Sequence, residues 1–406
     1  MKNLWSLIFR SKTQPSSHLK NKILIIAPQP FLQWRGTPIR VFFTLVSLSK
    51  LGYKIDLLTL PFGQNIEIDG VSVIRVSNPF KISNVKIGPS AAKIFFDFLV
   101  FIKGLSLVRK SKYTIIHGIE EAGTMALILA SLTGVKSIYE KHSDVVSYKN
   151  GFLKNLLLRT FSLIEKIVIQ RVDMIICTGV GLEELVKRVN GSRSVFHIAD
   201  VPSSLVEPTM KDVLKTRNKL LDNQDDLIVT YVGSFAIYQG ISLLKKAIYH
   251  VLKNSSKVRF LIVGGTPNEI LEFKNEPFLQ EYSNSFLFMG ILQPDEIPVL
   301  LKASDILLSL RMAGVNTPLK LLDYLKSGKP VVATDVKANR LILNEKCAIF
   351  AQSDPDDIAS AIINLVEHPE MRYEMGVEAE KLFSENYSFQ RFTLQIGQCY
   401  QKALDS

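Results

Sequence analysis

Cysteine is scarce in this chain, with Cys177, Cys347 and Cys399 the only three thiols in 406 residues. No C-x-x-C pair occurs, and each thiol lies in or near an apolar segment. They read as buried thiols of a reducing compartment, not as a disulfide framework. Long apolar runs are missing too. No stretch reaches the ~18 uninterrupted apolar residues of a membrane span. The nearest approach, Ala91 to Val108, is broken by Lys93, Asp97 and Lys103. The opening MKNLWSLIFRSK lacks the apolar core and cleavage site of a secretory signal. Residues 1–20 are therefore expected to be a leader, either disordered or a short amphipathic membrane tether. The dinucleotide fingerprint G-x-G-x-x-G is absent from both strand-end glycine turns, which argues against NAD. No Cys/His spacing suggests zinc, and no metal is expected. No Ser/His/Asp order, repeat or low-complexity tract stands out.

What is present is an ordinary globular composition, 47% hydrophobic and 21% charged, long enough for two or three domains. The net charge of +11 is unevenly placed. Residues 1–205 hold 27 basic and 13 acidic residues, a balance of +14, and the rest balance at −3. The basic residues are interleaved with aliphatic ones in tracts such as KIFFDFLVFIKGLSLVRKSK and FLKNLLLRTFSLIEK. These read as basic amphipathic helices. They suit an anionic membrane face or an acidic lipid-linked partner better than nucleic acid. The plainer reading is that they pack on a core with Lys and Arg on the wet side.

Short apolar strands alternate with helical segments along the whole length, the mark of parallel α/β sheets. The first half has strand patterns at 22–27, 54–60, 71–76, 114–117, 137–140, 173–178 and 194–198. The second half has them at 227–232, 258–263, 286–289, 305–309, 330–334 and 347–350. Each half is predicted to be a doubly wound, Rossmann-like domain, over residues 21–205 and 227–386. Residues 206–226, polar and without a strand signal, read as a linker. Residues 387–406 have helical spacing through Phe389, Phe392, Ile396 and Tyr400, and are expected to pack back on the first half. Ligands of such sheets bind beyond the carboxyl ends of the strands. The expected site is a cleft between the two domains.

The most informative segment is RMAGVNTPLKLLDYLKSGKPVVATD, residues 311–335. Thr317 at an N-cap and Pro318 in the first turn predict a helix to about Lys326, ended by Gly328. Free N–H groups at such a start attract phosphate. Lys320 and Asp323, three residues apart, fall on one face. They offer a cation for a diphosphate beside a carboxylate for sugar hydroxyls. Thr37-Pro38 repeats the device after Arg35-Gly36, with Arg40 adding charge; it reads as an anion contact or simply as a capped helix. Glu140-Lys141-His142-Ser143-Asp144 leaves a strand, and His142 suits a hydrogen bond to sugar or a proton transfer. His117 with Glu120-Glu121 is open to acid–base work, although capping of a helix near Ala122 fits better. Gly233-Ser234 and Gln239-Gly240 form a weak phosphate signal, and Val263-Gly264-Gly265-Thr266 a second weak turn. Asp354-Pro355-Asp356-Asp357 fits a helix cap better than a metal cluster.

Taken together, the second half resembles the retaining nucleotide-sugar glycosyltransferases of glycosyltransferase family 4. YVGSFAIYQGISLLKKAI, LIVGG, FMGILQPDEIPVLLKASDILLSL, NTPLKLLDYLKSGKPVVATD and YSF follow that family in order and spacing. The first half is similar more loosely, through RGTPIRV, the His142 loop and RVDMIICTG. The resemblance spans roughly residues 20–390. It implies the GT-B fold, two Rossmann-like domains facing across a cleft. It implies metal-independent transfer, with retention, from a UDP- or GDP-sugar to a hydroxyl of a lipid-linked or cell-surface glycan. Gly36 and Thr37 would face the donor diphosphate and acceptor, and His142 the transferred sugar. Asp323 would hold the ribose. Donor contacts would also come from Gly233, Ser234, Gln239, Gly240, Arg311 and the Gly314–Leu319 loop, including Asn316, Thr317, Pro318 and Leu319.

Three positions depart from the family pattern. Val315 stands where the first Glu of the Glu–seven residues–Glu motif is usual. Ser234 and Gln239 replace an Arg and a Lys that hold the diphosphate. Each lost charge-assisted bond is worth ~1.5–3 kcal/mol. Arg311 and Lys320 are expected to substitute for them. The departures keep two rivals open: a non-catalytic glycosyltransferase-like partner protein, and a GT-B sugar-nucleotide epimerase. The expected location is cytoplasmic, peripheral on the inner face of the cell membrane.

Overall fold

The computed structural model describes residues 21–32, 36–83, 85, 90–143, 152–190, 194–312 and 318–406. The chain divides into two compact units, residues 1–199 with 392–406, and residues 200–391. Each is built on one fully parallel sheet.

In the first unit the strands are β1 (Lys22–Ala27), β2 (Lys54–Thr59), β3 (Val71–Arg75), β4 (Ile115–Ile119), β5 (Lys136–Lys141), β6 (Met174–Cys177) and β7 (Val195–His197). Their order is β3-β2-β1-β4-β5-β6-β7. The central strand KILIIA is buried from Ile23 to Ala27, since helices cover both faces. Its register sets Ile23 beside Ile55 on one side and Ile115 on the other. In the second unit the strands are β8 (Leu227–Val232), β9 (Val258–Val263), β10 (Phe286–Gly290), β11 (Ile306–Ser309), β12 (Val331–Thr334) and β13 (Ala348–Ala351). The order there is β10-β9-β8-β11-β12-β13. Every strand expected from the sequence is present, with ends shifted by a residue or two.

Both orders reverse direction once, between β1 and β4 and between β8 and β11. Crevices beyond the carboxyl ends of doubly wound sheets open at such switch points. The helix Gly36–Lys50 leaves β1 and is buried from Pro38 to Leu48. The last helix, Phe389–Asp405, covers it: Ser47 Oγ and Thr393 Oγ1 lie 2.9 Å apart, and Gly397 packs on Leu51. Phe392, Ile396, Cys399, Tyr400 and Ala403 form its buried stripe. Burial of each large member is worth about 1.5–3 kcal/mol.

Residues 206–226 are not a bare connection. They contain the helix Met210–Leu220, which Thr209 caps and Val213 anchors inside the second unit. Arg217 donates to Asp305 Oδ2 and to the Ala303 carbonyl, both at 2.8 Å. Polarity hid this helix because one buried residue suffices when an ion pair does the docking. Cys177, Cys347 and Cys399 are buried, unbridged thiols. Among the described residues no helix is long and apolar enough to cross a membrane.

Candidate functional site

In the second unit the carboxyl ends of β8 and β11 carry an unusual density of functional groups. Tyr231 ends the buried part of β8, and its Oη donates to the Ser234 carbonyl at 2.9 Å. That bond folds the Gly233-Ser234 turn back over the ring. A Cβ on Gly233 would stand 2.9 Å from Tyr231 Oη, so any side chain there would displace the phenol from its bond to Ser234. Lys320 Nζ sits 4.8 Å from the Tyr231 ring centroid and reaches Gln239 Oε1 at 3.4 Å. Arg311 stacks on Tyr238 at 5.7 Å. The structure thus brings Gly233, Gln239, Arg311 and Lys320 together at one strand end.

The cations are placed by rigid supports. Tyr324, on the same helix as Lys320, donates to the Leu308 carbonyl at 3.1 Å and accepts from Val232 N–H at 3.0 Å. One buried phenol therefore locks this helix to both strands of the switch point. Asn339 Nδ2 holds the Ser309 and Thr334 carbonyls at 3.1 and 2.8 Å, and Thr334 Oγ1 donates to the Arg311 carbonyl at 2.5 Å. Gly240 takes φ 78°, and a Cβ there would fall 1.9 Å from the Leu310 carbonyl oxygen. That close approach is why a glycine stands before the helix Ile241–Asn254.

Burial, and then repulsion from Arg311, lowers the Lys320 ammonium to about 7. No acidic group among the described residues relieves it. A cation held this way gains more than an exposed lysine from a dianionic ligand.

Several expected details differ. The helix spans Lys320–Ser327, later than predicted, with Leu319 at its cap position and no capping side chain. Its first turn is tight: Leu321 and Leu322 N–H groups reach the Pro318 and Leu319 carbonyls, both at 3.0 Å. Gly314, Val315, Asn316 and Thr317 lie outside the described residues. Asp323 does not sit beside Lys320 in its contacts. Its Oδ1 accepts from Ser203 N–H at 2.9 Å, and burial raises its carboxyl to about 6. It lines a small cavity with Val206, Pro298 and Lys326. The three-residue spacing is right, but Asp323 turns to the 203–208 segment.

The first unit holds a second cluster, at the ends of β4 and β5. Glu140 is completely buried and pairs with Arg40, itself 2% exposed. His117 Nε2 lies 3.1 Å from Glu140 Oε2, and His142 Nε2 lies 3.2 Å from Oε1. His117 Nδ1 and Tyr400 Oη are 2.6 Å apart. Burial alone would push the Glu140 carboxyl up. Arg40, with the ring nitrogens of His117 and His142 close by, overrides it and holds Glu140 well below the usual carboxylate range.

This corrects the reading of Arg40 as a ligand cation, because its charge is spent on Glu140. Gly36 and Thr37 lie in the first turn of Gly36–Lys50, so Thr37 is not the N-cap; Arg35 is outside the described residues. His142 also departs from a free loop imidazole. Glu121 does not cap the helix Ala122–Thr133 and pairs with Lys93 instead. Asp354 caps the helix Pro355–Glu367, accepting from Asp356 N–H at 2.9 Å. Sequence reasoning passed over Glu140, Tyr231 and Tyr324. A signal existed for the first: a carboxylate in a core-patterned strand and an arginine in a core-patterned helix demand each other.

Residues 226–368 match the family described as Glycosyl transferases group 1. The chain is 23% identical over 321 residues to an alpha-monoglucosyldiacylglycerol synthase of Streptococcus pneumoniae, covering 77% of this chain and 71% of that one. Among solved structures, the sucrose-phosphate synthase of Thermosynechococcus elongatus superposes with a TM-score of 0.76 at 20% identity, over 95% of this chain and 100% of that one. HepE of Anabaena, solved in complex with UDP, gives 0.71 at 14% identity, over 94% and 99%. The two parallel-sheet units are thus those of the GT-B fold, and residues 226–368 form a group 1 glycosyltransferase domain.

Proposed function

We propose that this protein transfers a sugar, with retention at the anomeric carbon, from a nucleotide-diphosphate sugar to a hydroxyl of a lipid-linked or cell-surface glycan. The bond from the anomeric carbon to the diphosphate oxygen breaks, and the acceptor oxygen bonds on the same face. The acceptor proton leaves with the nucleoside diphosphate. One observation carries the reading: Lys320, half-buried and without an acidic partner among the described residues, stands with Arg311 at the ends of β8 and β11. Two fixed cations there supply what Ser234 and Gln239 cannot. They stabilise the leaving diphosphate electrostatically, and the reading assigns no metal to that task. UDP bound to HepE, a fold neighbour, favours a UDP-sugar over a GDP-sugar.

The test is a thermal-shift screen with UDP, GDP and their sugars, followed by turnover assays with added membranes. A ligand at a hundred times its Kd adds ~2.7 kcal/mol of stability. Stabilisation by UDP together with consumption of a UDP-sugar is expected. No response to any nucleotide would end the proposal, and binding without turnover would favour the non-catalytic rival.

The acceptor side rests on the first unit. Ile94, Phe98 and Ile102 recur every four residues on the helix Ala91–Lys110 and are 61%, 60% and 46% exposed. Lys103, Arg109 and Lys110 on the same helix are exposed as well. An apolar stripe flanked by cations suits the inner, anionic face of a cell membrane, and the pneumococcal relative is named for a diacylglycerol product. Phe98→Ser with Ile102→Ser is expected to release the protein from phosphatidylglycerol vesicles in a sedimentation assay. Undiminished sedimentation would remove the membrane from this reading.

A further inference from the structure

Glu120 occupies a backbone position that favours glycine. It follows β4 with φ 54°, in the left-handed region that L side chains avoid. The turn is fixed on both sides. Glu120 N–H donates to the Glu140 carbonyl at 2.9 Å, continuing the β4–β5 ladder, and the Glu120 carbonyl accepts from Gly123 N–H at 2.9 Å. Beside it, Gly118 packs so closely on the same turn that a Cβ there would meet the Ala122 carbonyl oxygen at 2.2 Å. A glutamate kept in such a place carries strain that a glycine would not.

The carboxylate does one thing among the described residues. Oε1 accepts from His142 N–H at 2.9 Å, and Oε2 accepts from Ser143 Oγ at 3.3 Å. The other side of His142 is held separately, with its Nε2 3.2 Å from Glu140 Oε1. Two carboxylates from neighbouring strand ends therefore hold one residue, Glu120 by its backbone and Glu140 by its ring.

We infer that Glu120 is a positioning residue, which fixes His142 for the transfer reaction proposed above. The inference rests on that reading for its purpose, though not for its geometry. The two holds differ in how they respond to pH. Burial raises the Glu120 carboxyl to about 7, His142 and Lys141 pull it down, and Glu121 pushes it up. Glu140 stays ionised through the same range. Above about 7, Glu120 accepts both bonds as a carboxylate. Below it, one oxygen carries a proton and the hold on the 142–143 backbone weakens.

The test uses the full chain, 15N-labelled, and follows the backbone amide at position 142 by NMR in a His142→Gln background, where no imidazole at that position can contribute. That amide, which Glu120 Oε1 accepts from, should show an inflection near pH 7 that disappears when Glu120→Gln is added. The same inflection with Glu120→Gln present would overturn the inference, whatever the protein does with nucleotides. A second arm uses Glu120→Gly, which frees the backbone while deleting the hold. UDP-glucose consumption should then fall at least tenfold, with the melting temperature within about 4 °C of wild type. Consumption within twofold of wild type would overturn the inference. If neither wild type nor variant consumes UDP-glucose, the comparison is made with the donor that the nucleotide screen selects; if no donor is consumed, the transferase reading fails, and the NMR arm alone decides the role of Glu120.

Discussion

Lys320→Met should weaken UDP binding at least tenfold while raising the melting temperature of the unliganded protein. The two effects share a cause. Methionine keeps the apolar stem over Tyr231 and removes an ammonium that burial and Arg311 disfavour. The sign follows from linkage. Lys320 sits at about 7 in the folded protein, below its ordinary 10.5. Between those values the unfolded chain binds more protons, so stability rises with pH through that window, and below it the cost of burying the charge is full. UDP binding has the opposite pH trend. Below about 7 the free protein already presents the charge. Above it a proton must be taken up, so affinity should fall by up to about tenfold per pH unit. Calorimetry at pH 6, 7 and 8 reads both the slope and the proton uptake. An unchanged Kd in Lys320→Met would sink the assignment of this residue to the diphosphate.

Arg40→Met should be among the most damaging substitutions in the first unit. Among the described residues, it leaves Glu140 buried with His117 and His142 as the polar side chains near its oxygens. Removing one partner of a buried ion pair costs about 3–5 kcal/mol. For a unit of this size, that lowers the melting temperature by on the order of 10 °C. The carboxyl of Glu140 is held below its ordinary 4.5, so the pair's contribution is present above that value and is lost as pH falls through the folded value. The gap between wild type and variant should therefore be widest near neutrality and narrow under acid. Melting within 2 °C of wild type at pH 7 would show that the pair carries no net stability.

The fold was legible because its signals are local. An apolar run such as KILIIA, bounded by polar residues, states its strand without reference to the rest of the chain, and thirteen such strands were readable. The candidate site was legible where glycine and charge coincide, at Gly233, Gly240, Arg311 and Lys320, whose proximity the structure shows. It was not legible where a side chain's direction is set by a distant segment. Asp323 illustrates this: helical spacing places it three residues from Lys320, but the Ser203 N–H, 120 residues away, captures its carboxylate. Arg40 is the same case at a separation of 100 residues, where Glu140 turns an apparent ligand cation into a core strut. The helix Met210–Leu220 escaped because its docking is ionic, and hydropathy does not register ion pairs.

The last helix has a consequence in time. Tyr400 closes on His117 across 283 residues, and Thr393 reaches Ser47 across 346. Synthesis proceeds at about 5–20 residues per second, so His117 waits roughly 14–57 s for its partner. The second unit, continuous from residue 200 to 391, has all its strands on hand before that wait is over. The first unit starts earlier on the ribosome and finishes later. A stalled or shortened chain would therefore display a completed second unit beside a first whose long helix Gly36–Lys50 still lacks its cover.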